Sequence, residues 1–410
     1  MISMCTADRR FRSLATLCTC WLLLLSALSL GAFGSGQAEA QSLLQGGPVD
    51  FGPSPLGVAS GRISLNFNAT VRTQISSVNV VTEGASNLDF TLINQDCVGQ
   101  QAPPATCLIT LQFTPSQVGL RKGWLSLTDS TGAIVNNVPL RGIGQGPLML
   151  LASPLSASAT TSVSGVSPTT FLPTGSVLDG SGNLYVNDIV NSRLLQIAPG
   201  GAVAVLGTVA GTAQSSLAIN GLGTVFISSP AQHAVYYVLP GGSLQTLNTP
   251  GVTLVSPTGL AVDGSGYLYI SDSGNNTIVR VALDQSSASA LTLTGLALPL
   301  SQPEGLTIDL NHNLYIADSG NNRVVQFSLS SGQASPVAIS GVTLSSPSGL
   351  AISPSGTLTV ADTGNARFVS ISSTGAGTAL TLGGVNVTQP GGVTLTDAGD
   401  LILTDMTAGL

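Results

Sequence analysis

Two histidines, His233 and His312, are all the imidazole this 410-residue chain has for proton transfer or metal binding. A Ser/His/Asp nucleophile needs a histidine beside its serine, and a histidine-held zinc site needs several converging. No G-x-S-x-G, P-loop or G-x-G-x-x-G segment offers another route. Aspartates are more plentiful and regularly placed: Asp188, Asp272, Asp318, Asp362 and Asp405 recur in similar contexts. Such a series reads either as a carboxylate ring for metal or as a set of turn formers. The run Asp-Ser/Thr-Gly-Asn favours the second, because an Asp side chain accepts backbone N–H bonds within its own turn. Asp179, Asp263 and Asp309 read the same way. Glu304 is the one glutamate after residue 147 and has no counterpart at matching positions.

A repeat supplies the elements that hold these residues. Gly259-Leu-Ala-Val-Asp-Gly-Ser-Gly-Tyr-Leu-Tyr-Ile-Ser-Asp272 is echoed at 175–188, 305–318, 349–362 and 392–405, and a decayed copy ends at Ser229. The anchors at 188, 229, 272, 318, 362 and 405 are spaced 41, 43, 46, 44 and 43 residues apart. A period near 43 with four strand-length apolar runs is the signature of a propeller blade. In each unit an inner strand turns at Ser-Gly into a second strand, and the Asp turn leads to a third. The two turns lie at opposite ends of a blade, so His312, in the first, and His233, in the second, cannot share a metal or substrate. His312 occupies the place of Gly182, Gly266 and Gly356, where a left-handed backbone is expected and histidine is tolerated. The last unit stops at Leu410, where its third strand should begin. Leu148 to Ala152 and Ala157 to Ser162, upstream of the first unit, are expected to supply the third and outer strands of the last blade, leaving no open sheet edge.

Residues 47–146 read differently. Short strands at Val49–Gly52, Ile63–Phe67, Val78–Val81, Leu108–Phe113, Trp124–Leu127 and Val138–Leu140 alternate apolar and polar residues, which predicts a β-sandwich. Gly142 to Pro147 reads as a short flexible linker. Only 8% of the chain is charged and the formal net charge is −7, which argues against coiled coils and phosphate-held partners. From residue 147 onward four arginines face twelve acidic residues, so nucleic acid is excluded as a partner.

The N-terminus carries Arg9, Arg10 and Arg12, an apolar run from Trp21 to Phe33, and Ala38-Glu39-Ala40 as a cleavage site. It predicts a signal peptide over 1–40 and an exported protein: secreted, periplasmic or at the cell surface. An uncleaved anchor is the other reading of the same run; after cleavage no membrane span would remain. Cys5, Cys18 and Cys20 would leave with the leader. Cys97 and Cys107 remain for an oxidising compartment, which favours a disulfide between them.

The sequences Cys107 to Gly119, Gly123-Trp-Leu-Ser-Leu-Thr-Asp129 and Pro139-Leu-Arg-Gly-Ile-Gly144 resemble the ASH/Hydin-type (choice-of-anchor D) immunoglobulin-like module. That resemblance implies a spacer or adhesive domain without catalytic residues. The repeat resembles the NHL repeat, closest at Asp318-Ser-Gly-Asn-Asn-Arg323, and implies a six-bladed β-propeller over 147–410. The fold class expected is therefore all-β, a sandwich followed by a propeller closed by strands from both ends. Lyases of the NHL-propeller type use histidine-held zinc or a histidine base, and His233 alone is a thin candidate. Lactonase-like propellers hold calcium with channel Glu, Asn and Asp, which directs attention to Glu304 at the channel mouth. The plainer reading of Glu304 is a solvated surface carboxylate.

The expectation is a non-catalytic binding protein for a protein or glycan, with no cofactor. Its candidate face carries Glu304, His233, Asn275, Asn276, Asn321, Asn322 and Arg323. A metal-dependent lyase or lactonase, with calcium as its ion, is the alternative; an envelope spacer is the third.

Overall fold

The computed structural model describes residues 40–42, 48–68, 73–101, 106–145, 155–156, 167, 172–210, 215–383, 385–395 and 401–406. The charged and apolar parts of the predicted leader lie outside them, as do the runs 148–152 and 157–162 expected to complete the last blade. Between those runs, Leu155–Ser156 pairs in parallel with Leu382–Gly383. Among the described residues no helix is long and apolar enough to cross a membrane. The fold is all-β, and among the described residues the helical pieces are single-turn 3-10 segments.

Two sheets form the N-terminal sandwich. Strands Ala40–Ser42, Ile63–Asn68, Thr106–Phe113 and Phe90–Gln95 make one sheet, in that spatial order. Val49–Pro55, Ile134–Gln145, Gly119–Thr128, Ser77–Thr82 and Ala85–Ser86 make the other. Alternation along Thr106–Phe113 buries Cys107, Ile109, Leu111 and Phe113. They meet Leu125, Leu127, Val138 and Leu140 of the facing sheet in one core. The stacked rings of Phe90 and Phe113, 4.8 Å apart, fill its centre. Cys97 and Cys107 are bonded to each other. The flexible linker expected at 142–147 is corrected over its described part. Residues 142–145 continue the strand Ile134–Gln145, pairing with Gly119–Thr128 on one side and Val49–Pro55 on the other. Gly142 is needed there because a Cβ would run into the Phe113 ring.

From residue 173 five four-stranded antiparallel sheets follow one another, and a sixth is described by two strands. Their inner strands are Pro173–Leu178, Leu217–Ile219, Pro257–Val262, Pro303–Ile308, Pro347–Ile352 and Pro390–Leu395. Neighbouring inner strands pack backbone to backbone around a central channel. At Gly305 an added Cβ would overlap the Ser348 carbonyl, which is why glycine follows the variable residue after Pro303. The last sheet meets the first: Thr394 Oγ1 donates to Ser176 O at 2.8 Å, and Thr404 Oγ1 to Thr174 O at 3.3 Å. Apolar side chains fill the spaces between sheets, as where Ala261 and Tyr269 of the third pack on Leu306, Leu314 and Ile316 of the fourth.

The sandwich sits against the turns between first and second strands. Gly84 N donates to Gly221 O and Gly180 N to Glu83 O, both at 3.1 Å. Lys122 Nζ donates to Ile219 O at 3.0 Å. Gly119 approaches Pro354, and Arg141 packs on Gly264. These contacts draw on the first, second, third and fifth sheets and place the sandwich over one end of the channel.

Candidate functional site

Asp188, Asp272, Asp318 and Asp362 are each held by their own turn and by the loop before the inner strand, and Asp405 by Thr388 and Gln389 of that loop. Asp318 Oδ1 accepts Ser301 N at 2.7 Å, while Oδ2 accepts Asn321 Nδ2 at 2.9 Å and Arg323 Nε at 2.6 Å. Asp362 repeats the arrangement with Ser345, Asn365 and Arg367. Asp188 is held by Leu172, Asn191 and Arg193. These carboxylates are fully buried and neutralised within the scaffold. The other series works alike: Asp263 Oδ1 accepts Ser265 N and Tyr267 N, and Oδ2 accepts Tyr269 Oη. Burial, then the adjacent Asp, pushes the Tyr185 and Tyr315 hydroxyls up to about 12.

The seven residues of the candidate face lie at the end of the propeller away from the sandwich, spread over the second, third and fourth sheets. Six of them help build that face. His233, Asn276 and Asn322 take left-handed conformations, with φ of 53°, 54° and 54°. Each accepts a backbone N–H from the next sheet's loop: His233 Nδ1 from Ser256, Asn276 Oδ1 from Gln302, Asn322 Oδ1 from Ser346, at 2.7–2.9 Å. Asn275 and Asn321 bridge Asp272 and Asp318 to the carbonyls of Thr253 and Pro299. Arg323 joins Asp318 to the carbonyl of Leu298.

Glu304 is different. In the slot it occupies, the other sheets carry Thr174, Ser215, Thr258, Ser348 and Gly391. Hydroxyls there are satisfied locally: Thr174 with Ser215 at 2.8 Å, Thr258 with Ser273 at 2.6 Å, Ser348 with Thr363 at 2.6 Å. The Glu304 carbonyl accepts Ser271 Oγ at 2.5 Å, but its carboxyl has no partner among the described residues. It lines the channel, and burial alone raises its pKa from 4.5 to about 7. Glu304 thus faces the channel rather than the outer surface and stays partly exposed there.

The channel encloses a cavity of about 970 Å³, bounded at the far end by sandwich residues 117–122 and Glu83. That volume lies at the upper end of the range for small-molecule sites, roughly 300–1,000 Å³. Lys122 there lies 3.9 Å from Glu83, and Arg121 is bound to Asp89 at 2.5 Å. Sequence reasoning missed this end of the cavity. Its signal was the adjacent Arg121-Lys122 pair inside an otherwise apolar strand.

His312 is remote from Glu304. Its φ of 60° fits the expected left-handed turn, and its Nε2 faces the guanidinium of Arg141, which also binds Asp50 at 2.6 Å. Burial, then Arg141, lowers its pKa. Among the described residues the one group of three His, Cys, Asp or Glu with ligand atoms in mutual reach is Asp96, Cys97 and Cys107, and its two sulfurs are spent on the disulfide.

The NHL repeat family matches residues 300–327, the fourth inner strand through the third strand of that sheet. No curated protein matches the chain. Among solved structures, the chain is similar to virginiamycin B lyase from Staphylococcus aureus, at 18% identity, covering 57% of this chain and 78% of that one, with a TM-score of 0.46. It is similar to a gluconolactonase from Xanthomonas campestris at 17% identity, over 58% and 84% of the two chains, with a TM-score of 0.47. An auxiliary nutrient binding protein from Bacteroides thetaiotaomicron is 12% identical over 86% and 93%, with a TM-score of 0.48.

Proposed function

We propose that this chain is an exported, non-catalytic binding protein whose ligand, part of a protein or glycan, enters the propeller channel from the face that bears Glu304. In this reading the propeller has six blades and is closed by residues from both ends. The N-terminal sandwich is an Ig-like module of the ASH/Hydin type, serving as spacer and as the floor of the channel. The observation that carries the reading is the cavity itself, of small-molecule size and lined by inner-strand backbone, hydroxyls and one unpartnered carboxyl. A rigid scaffold with loops converging on a channel mouth suits recognition.

Catalysis asks for more than the site supplies. Neither histidine stands beside Glu304: His233 is committed to Ser256 N and His312 faces Arg141. A calcium ion takes six to eight oxygen ligands, usually with several carboxylates, whereas Glu304 belongs to no group of three acidic, His or Cys ligands among the described residues.

The test is binding of the purified full chain to immobilised glycans and peptides, with elemental analysis in parallel. Saturable binding that is lost when Thr258→Trp blocks the channel is the expected result. Stoichiometric metal that disappears in Glu304→Ala would overturn the non-catalytic reading and call for lyase and lactone assays. Absence of any saturable ligand would leave the spacer.

A further inference from the structure

We propose that the propeller channel receives a primary ammonium group, with the Glu304 carboxylate as its counter-ion. This rests on the binding reading above and names the chemistry of the part that enters.

The charge inventory of the cavity leads there. Five of its lining residues are ionisable: Glu83, Arg121, Lys122, Asp309 and Glu304. Four have partners within the protein. Lys122 donates to Ile219 O and faces Glu83. Arg121 is bound to Asp89. The Asp309 carboxylate accepts the backbone N–H groups of Asn311 and Asn313 and the Asn313 side chain. Glu304 is left with no cationic or hydrogen-bonding partner among the described residues. Of the propeller's four arginines, Arg193, Arg323 and Arg367 are each paired with a buried aspartate, and Arg280, which does not line the cavity, stacks on the Tyr267 ring. A group entering this cavity therefore meets acidic side chains without a cationic partner, of which Glu304 alone lacks any donor, and a cation is attracted where an anion is repelled.

The lining also selects among cations. It contains no Phe, Tyr, Trp or His side chain, so an aromatic cage for a quaternary ammonium is absent from it. A metal ion would want several hard oxygen ligands around it. An ammonium group instead brings three N–H donors and needs one strong acceptor, with the channel's hydroxyls beside it. Burial accounts for why the carboxyl is poised to respond: it is only about half ionised in the empty channel near pH 7, and an arriving cation favours the ionised form.

Two sources carry this chemistry, a lysine side chain of a protein and an amino sugar of a glycan. The experiment is calorimetric titration of the full chain with n-butylammonium and with n-butanol, its neutral counterpart, at pH 6 and pH 8. Nα-acetyl-lysine methylamide and glucosamine form the two arms that separate the sources. Expected is binding of butylammonium and of one arm but not of butanol, with butylammonium, which stays protonated throughout, about tenfold tighter at pH 8 than at pH 6 because the ionised fraction of Glu304 changes by that factor around a pKa near 7. Glu304→Gln should weaken binding by roughly 30-fold or more and remove the pH dependence. Equal binding of butanol, a flat pH profile or indifference to Glu304→Gln would overturn the proposal. So would silence from all the ammonium probes. The pH comparison needs no variant, so a poorly folded substitution does not shield the idea. A glycan or peptide that binds saturably without using Glu304 sinks this inference alone and leaves the binding reading standing.

Discussion

Replacing Glu304 by Gln should stabilise the protein at alkaline pH and do little in acid. The carboxyl's pKa rises from 4.5 in the unfolded chain to about 7 in the channel, through burial. Between those values the folded state binds more protons than the unfolded one, so stability falls as pH rises and levels off above pH 7. At about 1.4 kcal/mol per tenfold, the ionised carboxylate costs the folded state up to roughly 3 kcal/mol. Solvent reaching the channel reduces this, and about 1–3 kcal/mol is the expected gain for the amide at pH 8. For a propeller of this size, with roughly 2 °C per kcal/mol, the gain corresponds to a melting temperature higher by about 2–6 °C. The assay is thermal melting of both proteins in the same metal-free, amine-free buffers at pH 4.5, 6 and 8. The difference should be near zero at pH 4.5 and grow with pH. A constant difference, or a variant less stable at pH 8, would mean that Glu304 is ionised and satisfied in the folded protein, and the burial argument would fail.

Three further outcomes follow from the same geometry. Arg323→Thr should cost about 1–2 kcal/mol rather than the roughly 3–5 typical of breaking a buried pair, because the third sheet already has Thr277 there and holds Asp272 through Val255 N and Asn275; denaturant midpoints measure it. Gly305→Ala should lose about 1–3 kcal/mol or more through overlap with the Ser348 carbonyl, while Gly200→Ala, with open space around it, stays within about 0.5 kcal/mol in the same experiment. Arg141→Ala should raise the His312 titration midpoint toward its ordinary value, read by NMR. The lowered pKa of His312 makes its contribution to stability present above about pH 6.5 and lost as pH falls, so the variant's acid stability should depend less on pH.

What the sequence determined by itself was periodic or local. The 43-residue spacing, the Ser-Gly turns and the left-handed place of His312 are legible because each copy must solve the same backbone problem within a few residues. The buried Asp brackets were legible for the same reason: their partners lie two to six residues away or 16–17 residues upstream in each unit. The disulfide needed only the two cysteines outside the predicted leader.

Non-local features escaped. The strand Phe90–Gln95 was not anticipated because Ile93 faces solvent and Leu92 and Asn94 flank a register shift, which breaks the alternation that reveals a strand. Gly142 to Gln145 look like linker residues, yet they are held in strand by two neighbours that come from elsewhere in the chain. Tertiary structure alone decided that the sandwich bounds one end of the channel and that the exceptional Glu304 is shielded within it. Shielding is set by atoms distant in sequence, and a carboxyl's environment cannot be read from the residues beside it. Once the inner strands surround it, a side chain that sequence would place on the outer surface faces the channel, and the same chemical group acquires a different charge balance.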